Sequence, residues 1–161
     1  MANEKFRLSK QQQNVTMITI EEALRIALDC HEGLKDLDGK PAILHPLAVG
    51  MAGNNRQEII GGFLHDVVED SDLTVDDLLR KGVDEDIVDA LRLLTHEKGS
   101  DYSTYIQRII DSGNRLAQTI KLNDLKHNLW RGRAGGHMKQ VTKHEKALAM
   151  FVAAGLYKDN E

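Results

Sequence analysis

This chain of 161 residues has a single cysteine, Cys30, only two prolines and few aromatic side chains, which make up 4% of the sequence. One cysteine excludes an internal disulfide, and a chain of this length should bury enough apolar surface to fold without one. The sequence contains no run of 18 apolar residues and no signal segment with an apolar centre. We therefore expect a cytoplasmic protein with no membrane partner.

The net charge of −4 is distributed unevenly along the chain. Residues 121–146 carry a net charge of +5, so the rest of the chain carries −9. This basic stretch is either a solvated helix surface or a positive rim that attracts an anionic substrate. Binding to nucleic acid is not expected, because the stretch has little aromatic interleaving, with Trp130 alone nearby.

Helical periodicity dominates the sequence, and no segment alternates as a half-buried strand does. Helix starts are indicated by two capping pairs, Thr19 with Glu22 and Thr74 with Asp77. A central helix is predicted over residues 56–69. The sequence thus predicts an all-α helical bundle of about seven or eight helices.

The domain organisation follows from where this periodicity begins. Residues 1–17 are polar and aperiodic, and we predict that they form a flexible N-terminal tail, either mobile or docked on a partner. Residues 18–161 are predicted to form a single domain, because no repeat and no linker interrupts them. The sequence does not fix the oligomeric state, and a homo-oligomer remains open.

The segment GGFLHDVVED, residues 61–70, sets four ionisable side chains among apolar ones. In a helix His65 and Glu69 share a face, as do Asp66 and Asp70. Carboxylates at helical spacing usually form a solvated face, but the interleaved apolar residues argue against that here. Burying such groups costs free energy unless they are paired or bound to a metal. The segment is therefore a candidate metal site.

Two other segments supply residues that could complete this site. His45 lies in GKPAILHPLAV, and a lone histidine of this kind is more often a hydrogen-bonded core residue than a ligand. Lys121, Asp124 and Asn128 fall on one face of a predicted helix, which suits a metal ion together with a phosphate. Taken jointly with the central segment, they predict a site of two imidazoles and two carboxylates. Such donors suit Mn²⁺, Fe²⁺ or Zn²⁺, and the arrangement indicates a hydrolase acting on a phosphorylated substrate.

The segments HEGLKDLDGKPAILHPLAVG, FLHDVVEDSDLT and KLNDLKHNL resemble the HD superfamily of metal-dependent phosphohydrolases. The resemblance is closest to the hydrolase domain of RelA/SpoT-type alarmone enzymes and their small stand-alone relatives. The tract THEKGSDYSTYIQRI is similar as well, and the resemblance as a whole covers roughly residues 19–155. The resemblance implies an all-α HD bundle that releases pyrophosphate from the 3′ position of guanosine tetra- or pentaphosphate, a role in the stringent response.

The same resemblance implies a role for each candidate residue. A single Mn²⁺ would be held by four ligands, namely His45, His65, Asp66 and Asp124. Two carboxylates, Glu69 and Asp70, would activate or position the attacking water and assist proton transfer. The substrate would be held by Lys35, Lys121 and Asn128.

Three departures from the family pattern leave the substrate open. Ala42 stands where the family usually has an aromatic residue after the loop proline. The loop that is usually basic has the sequence Lys-Asp-Leu-Asp at residues 35–38, and Leu125 replaces the arginine that usually follows the aspartate at position 124. An alternative is therefore an HD hydrolase acting on another nucleotide or small phosphate ester. A third hypothesis is a non-catalytic domain that binds a nucleotide or a partner.

Overall fold

A computed structural model describes residues 16–158 of the chain. Its helices are, in order, α1 (Ile20–His31), α2 (Leu44–Met51), α3 (Arg56–Leu64), α4 (Val67–Asp70), α5 (Val75–Arg80), α6 (Glu85–Leu94), α7 (Tyr102–Asp111), α8 (Arg115–Ala134) and α9 (Met138–Ala153). Residues 16–158 contain no β-strand, and their one isolated bridge joins Lys35 to Pro41. The predicted all-α class is confirmed. Most of the predicted tail, residues 1–15, lies outside the described residues.

Both predicted capping pairs are present. The Thr19 hydroxyl accepts a hydrogen bond from the Glu22 backbone N–H at 3.1 Å, and the Glu22 carboxylate accepts one from the Thr19 N–H at 2.8 Å. Thr74 and Asp77 make the same reciprocal pair at the start of α5. These bonds satisfy N–H groups that the first helical turn leaves without partners, so each helix begins at a defined residue.

The central segment differs from its prediction, because residues 56–69 do not form one helix. α3 ends at Leu64, α4 begins at Val67, and His65 with Asp66 forms a turn between them. In a continuous helix the Gly62 carbonyl would accept from the Asp66 N–H. Here that carbonyl accepts a hydrogen bond from His65 Nδ1 at 2.7 Å. The turn re-aims the four ionisable side chains, which no longer form the single stripe that the sequence suggested.

The core lies where α3 packs between α1, α2 and α8, with α6 against α3 and α8. Fully buried side chains from these helices fill it, among them Ile60, Leu64, Ile87, Ile120 and Leu125. α9 packs along α8 and also touches α7. Within residues 16–158, no helix is both long and apolar enough to cross a membrane.

A close approach of two glycines sets the distance between α2 and α3. A Cβ added to Gly62 would lie 2.6 Å from the Gly50 Cα, a contact that no side-chain rotation can relieve. Only glycine permits this approach, because it has no Cβ. Because α2 carries His45 and α3 leads into His65, this contact also sets the spacing of the two histidines.

We expect Gly62→Ala to destabilise the protein by about 1–3 kcal/mol, because the backbones of α2 and α3 must separate to admit the methyl group. Gly61→Ala is a matched control, since a Cβ there meets chiefly the end of the Ile120 side chain, which can shift. Urea unfolding of the three proteins measures the difference. Equal stability of the two variants would show that the backbone approach is not what limits this position.

Candidate metal centre and substrate pocket

Two buried histidines face each other at the centre of the bundle. His45 lies in the first turn of α2, and His65 follows the last residue of α3. Their Nε2 atoms are 3.3 Å apart, and their rings meet edge to face. His45 is therefore not an isolated core histidine.

Two carboxylates complete the group. Asp124 Oδ1, from α8, lies 2.9 Å from His45 Nε2 and 3.6 Å from His65 Nε2. Asp66 Oδ1 lies 3.2 Å from His65 Nε2, and its Oδ2 lies 3.6 Å from His45 Nε2. One ligand atom from each of His45, His65 and Asp124 falls within 4.8 Å of the others, as a shared metal ion requires. The structure thus brings together the four predicted ligands from three separate segments.

The rear nitrogens of both histidines are held, which leaves their Nε2 atoms as ligands. His65 Nδ1 donates to the Gly62 carbonyl, so Nε2 is the nitrogen that can bind a metal ion once it has lost its proton. His45 Nδ1 lies 2.7 Å from His127 Nδ1, and His45 Nε2 donates to Asp124 Oδ1 at 2.9 Å, a proton that a bound metal ion would replace. Metal-binding histidines are typically oriented by a hydrogen bond of this kind. His127 lies directly behind His45, with the two rings stacked.

Asp124 is the most strongly held group of the centre. Its Oδ2 accepts from Lys121 Nζ at 2.6 Å, and its Oδ1 accepts from Asn128 Nδ2 at 2.7 Å. Burial alone would raise the pKa of Asp124, but the Lys121 ammonium and the two histidines hold that pKa well below its usual range. Burial alone would lower the pKa of Lys121, and Asp124 more than offsets that effect. Both groups are therefore charged at neutral pH.

The two histidines differ in their affinity for a proton. Burial lowers the pKa of His45. Burial acts in the same direction on His65, but the carboxylates of Asp66 and Asp124 outweigh it and raise the pKa of His65 to about 9. Two imidazoles and two carboxylates form a borderline-to-hard donor set, so a divalent first-row metal ion fits the residues present.

A pocket of about 230 Å³ opens onto these four residues, and Glu69 stands on its wall. Glu69 Oε1 accepts a hydrogen bond from the His96 backbone N–H at 2.6 Å. Burial raises the pKa of Glu69, although its side chain remains exposed, because surrounding protein removes part of its hydration. A carboxylate of raised pKa beside a metal centre can accept a proton from water.

Asp70 is placed differently from its prediction as a catalytic residue. Its Oδ2 lies 3.2 Å from His31 Nε2, and it does not line the pocket. This pair joins α4 to the end of α1, and Asp70 is the main reason that the pKa of His31 is raised. A direct part for Asp70 in catalysis stays a prediction, and the geometry favours a positioning part.

The three predicted substrate-binding residues occupy two adjoining spaces. Lys121 and Asn128 line the metal-centre pocket, where both also hold Asp124. Lys35 lines a neighbouring cavity of about 290 Å³, which shares Asn128 and Arg131 with the first pocket. Arg131 Nε donates to Asn128 Oδ1 at 2.8 Å, whereas Arg133 pairs with Glu145. The basic stretch is therefore partly a pocket rim and partly a solvated surface.

Sequence reasoning missed part of the pocket wall. His96 and three residues of α9, Gln140, Lys143 and His144, line it without having been singled out as site residues. Tyr102 and Tyr105 line it too, and both belong to a tract noted for its family resemblance. The α9 residues carry no motif, so only the packing of α9 on α8 reveals them.

Comparisons with known proteins find relatives named as GTP pyrophosphokinases and as guanosine-3′,5′-bis(diphosphate) 3′-pyrophosphohydrolases. No family model matches the chain. The GTP pyrophosphokinase of Streptomyces coelicolor is 30% identical over 156 residues, which cover 84% of this chain and 17% of that protein. The guanosine-3′,5′-bis(diphosphate) 3′-pyrophosphohydrolase of Vibrio cholerae is 42% identical over 65 residues, covering 35% of this chain and 9% of that protein. The chain thus spans at most 17% of the length of these relatives.

A solved structure has a similar fold along nearly its whole length. It is a metazoan ortholog of SpoT, described as hydrolysing ppGpp and playing a role in starvation responses. The two folds superpose with a TM-score of 0.64 at 21% identity, over 86% of this chain and 96% of that chain. The predicted HD-type fold and the predicted resemblance to the hydrolase domain of RelA/SpoT-type enzymes are both confirmed.

Proposed function

We propose that this chain, which resembles the hydrolase domain of RelA/SpoT-type enzymes in sequence and in fold, is a Mn²⁺-dependent phosphohydrolase. The proposed reaction releases pyrophosphate from the 3′ position of guanosine 3′,5′-bis(diphosphate). The observation that carries the proposal is the convergence of His45, His65, Asp66 and Asp124, with His65 Nδ1 tied back to the Gly62 carbonyl. The cytoplasmic location expected from the sequence remains part of the proposal.

His45, His65, Asp66 and Asp124 would hold the ion. A divalent ion bound there supplies a Lewis acid for a phosphoryl oxygen and lowers the pKa of water. Manganese is the finer part of the proposal, since the same donors also suit Fe²⁺ and Zn²⁺. Lys121 fixes Asp124 in its charged form and places an ammonium donor at the floor of the pocket.

Glu69 is the proposed base. It takes a proton from the water that attacks the phosphorus next to the 3′ oxygen, the bond between that phosphorus and that oxygen breaks, and the 3′ oxygen is protonated. The His96 N–H holds the Glu69 carboxylate in place. Asp70 takes an indirect part in the proposal, by holding α4 against α1 through His31.

Lys35, Lys121 and Asn128 are the proposed substrate contacts. Lys121 and Asn128 stand at the metal-centre pocket, and Lys35 stands at the adjoining cavity, so one nucleotide could reach all three. Arg131 lies between the two spaces and donates to Asn128, which suits an anionic group passing from one space to the other.

One observation favours the alternative, an HD hydrolase for another nucleotide or phosphate ester. The loop at the adjoining cavity carries Asp36 and Asp38, and Asp38 Oδ1 lies 2.8 Å from His137 Nε2. A loop with two carboxylates presents hydrogen-bond acceptors where the family pattern presents cations. That wall would repel a phosphate and accept donors from a base or sugar.

The test is pyrophosphate release from ppGpp by purified protein, with Mn²⁺ present and then chelated. We expect release that needs the metal, together with formation of GDP. A panel of nucleoside 5′-monophosphates and cyclic nucleotides serves for comparison. Turnover of a panel member without turnover of ppGpp would move the assignment to the alternative, and metal binding with no turnover at all would favour a non-catalytic domain.

We expect Glu69→Gln to keep the bound metal and to lower kcat roughly 10²- to 10⁴-fold, the usual contribution of a positioned acid or base. Glutamine can still accept from the His96 N–H, so the fold should be retained. Glu97→Gln is a matched control, because Glu97 does not line the pocket. An unchanged kcat in Glu69→Gln would remove this residue from the proton transfer.

A further inference from the structure

Two buried polar atoms on one wall of the pocket lack hydrogen-bond partners. Within residues 16–158 three buried side-chain atoms have none, and two of them, Tyr102 Oη and His144 Nδ1, belong to residues that line the metal-centre pocket. Folded proteins seldom leave a buried polar atom without a hydrogen-bond partner unless there is a specific reason. A ligand that accepts hydrogen bonds would satisfy both atoms.

An uncompensated cation lies against one of these two side chains. Lys143 Nζ lies 4.1 Å from the centre of the Tyr102 ring, and the His144 ring lies 6.3 Å from the same ring. In the described part of the chain, Lys143 has no carboxylate within ion-pair distance. Lys121, by contrast, is neutralised by Asp124. The positive charge left for a ligand on this wall is therefore that of Lys143.

Tyr102, Lys143 and His144 form one wall of the pocket, and Lys121 lies close both to a metal ligand and to this wall. Lys121 Nζ is 2.6 Å from Asp124 Oδ2 and 5.7 Å from the centre of the Tyr102 ring. If one phosphorus atom of the substrate lies over the four ligands, a group attached to that phosphorus can extend past Lys121 and contact this wall. The group must be anionic, to suit an ammonium, and must accept hydrogen bonds, to suit a phenol and an imidazole.

We propose that Tyr102, Lys143 and His144 bind the outer phosphoryl group of a diphosphate ester, while the inner one lies at the metal centre. This proposal rests on the proposed function and identifies the residues that would select a diphosphate over a monophosphate. Lys143 supplies the charge, Tyr102 donates through Oη, and His144 donates through Nδ1. The ammonium makes the strongest of these contacts, because its hydrogen bonds to phosphate are charge-assisted.

The protonation state of His144 is compatible with its proposed role as a hydrogen-bond donor to a phosphoryl group. Burial lowers the pKa of His144 to about 4, so its imidazole is neutral at pH 7 and carries one N–H. A neutral imidazole with an unpartnered Nδ1 can place that hydrogen on Nδ1 and donate it to a phosphoryl oxygen. The subsite then gains its selectivity from one charge and two neutral donors.

The experiment is calorimetric titration of inorganic pyrophosphate, and separately of orthophosphate, into full-length protein loaded with Mn²⁺ and freed of excess metal. We expect pyrophosphate to bind at least tenfold more tightly than orthophosphate. Tyr102→Phe and Lys143→Gln should each weaken pyrophosphate binding roughly tenfold, which corresponds to about 1.4 kcal/mol. Bound Mn²⁺ and orthophosphate affinity should not change. Lys146→Gln, on the same helix and outside the pocket, is the matched control.

Two results would overturn the subsite. One is pyrophosphate binding by both variants with the affinity of the unmodified protein, and the other is an equal loss of pyrophosphate and orthophosphate. Tyr102→Phe keeps the ring that Lys143 contacts, so loss of the fold is not expected to obscure the result. Selective pyrophosphate binding without ppGpp turnover would leave the subsite standing and reject the nucleotide. Turnover of ppGpp together with unaltered pyrophosphate binding in the variants would support the proposed function and reject the subsite.

Discussion

We expect Asp66→Ala to abolish metal binding and to lower hydrolysis by more than about 100-fold. Even a residue that only orients a metal ligand typically costs about 10- to 100-fold when it is replaced. Asp66 Oδ1 and Oδ2 lie 3.2 Å from His65 Nε2 and 3.6 Å from His45 Nε2, so the substitution removes one of the two proposed carboxylate ligands. The side chain is 26% exposed and makes no capping hydrogen bond at the start of α4. The fold should therefore survive, and the loss should be confined to the centre.

Metal content by mass spectrometry and initial rates with the best substrate measure the two effects together. Asp72→Ala is the matched control, because Asp72 is exposed, lies six residues away and does not line the pocket. We expect the control to keep both its metal and its rate. Retention of metal and activity by Asp66→Ala would reduce the centre to His45, His65 and Asp124 and reject the proposed set of four ligands.

The features of this protein that could be predicted from the sequence are those that depend on residues close together in the chain. Helical periodicity and two capping pairs sufficed for the fold class, because α-helices depend on contacts three and four residues apart. Of the site, the convergence of His45, His65, Asp66 and Asp124 could be predicted because a family resemblance linked segments that no local rule connects. Without that resemblance, His45 would have remained an ordinary candidate for the core.

The break at His65 could not be read from the sequence, because it depends on competition for one carbonyl. Glycines at positions 61 and 62 weaken a helix but do not end it. At the break, His65 Nδ1 donates to the Gly62 carbonyl, a contact that the sequence pattern does not show. The placement of Asp70 was equally hidden, since its partner His31 is 39 residues away in the chain.

The contribution of α9 to the pocket could not be predicted either. An amphipathic pattern states which face of a helix is buried but not which helix covers it. α9 lies along α8, and this contact brings Lys143 and His144 to the pocket that holds Asp124. Residues of this kind become visible only when the packing of the whole bundle is known.

Lys121→Met destabilises the metal-free protein by about 3–5 kcal/mol, because it leaves Asp124 as a buried charge without its partner. Lys121 and Asp124 are 7% and 4% exposed, and their side chains meet at 2.6 Å. A bound divalent cation would restore a positive charge beside Asp124, so we expect the loss to be smaller in the metal-loaded protein. Urea unfolding with a chelator, and again with Mn²⁺, measures both values.

A double variant separates charge from packing in this pair. In the presence of chelator, Lys121→Met with Asp124→Asn should be more stable than Lys121→Met alone, because the uncompensated carboxylate is gone. Lys139→Met, on the surface of α9, is the control for the substitution itself and should change stability by less than about 0.5 kcal/mol. If Lys121→Met costs the same with and without Mn²⁺, its stem contributes through packing on Tyr105, where Nζ lies 5.0 Å from the ring centre. Such a result would contradict the role of Lys121 as the counter-charge that holds Asp124 ready for a metal ion.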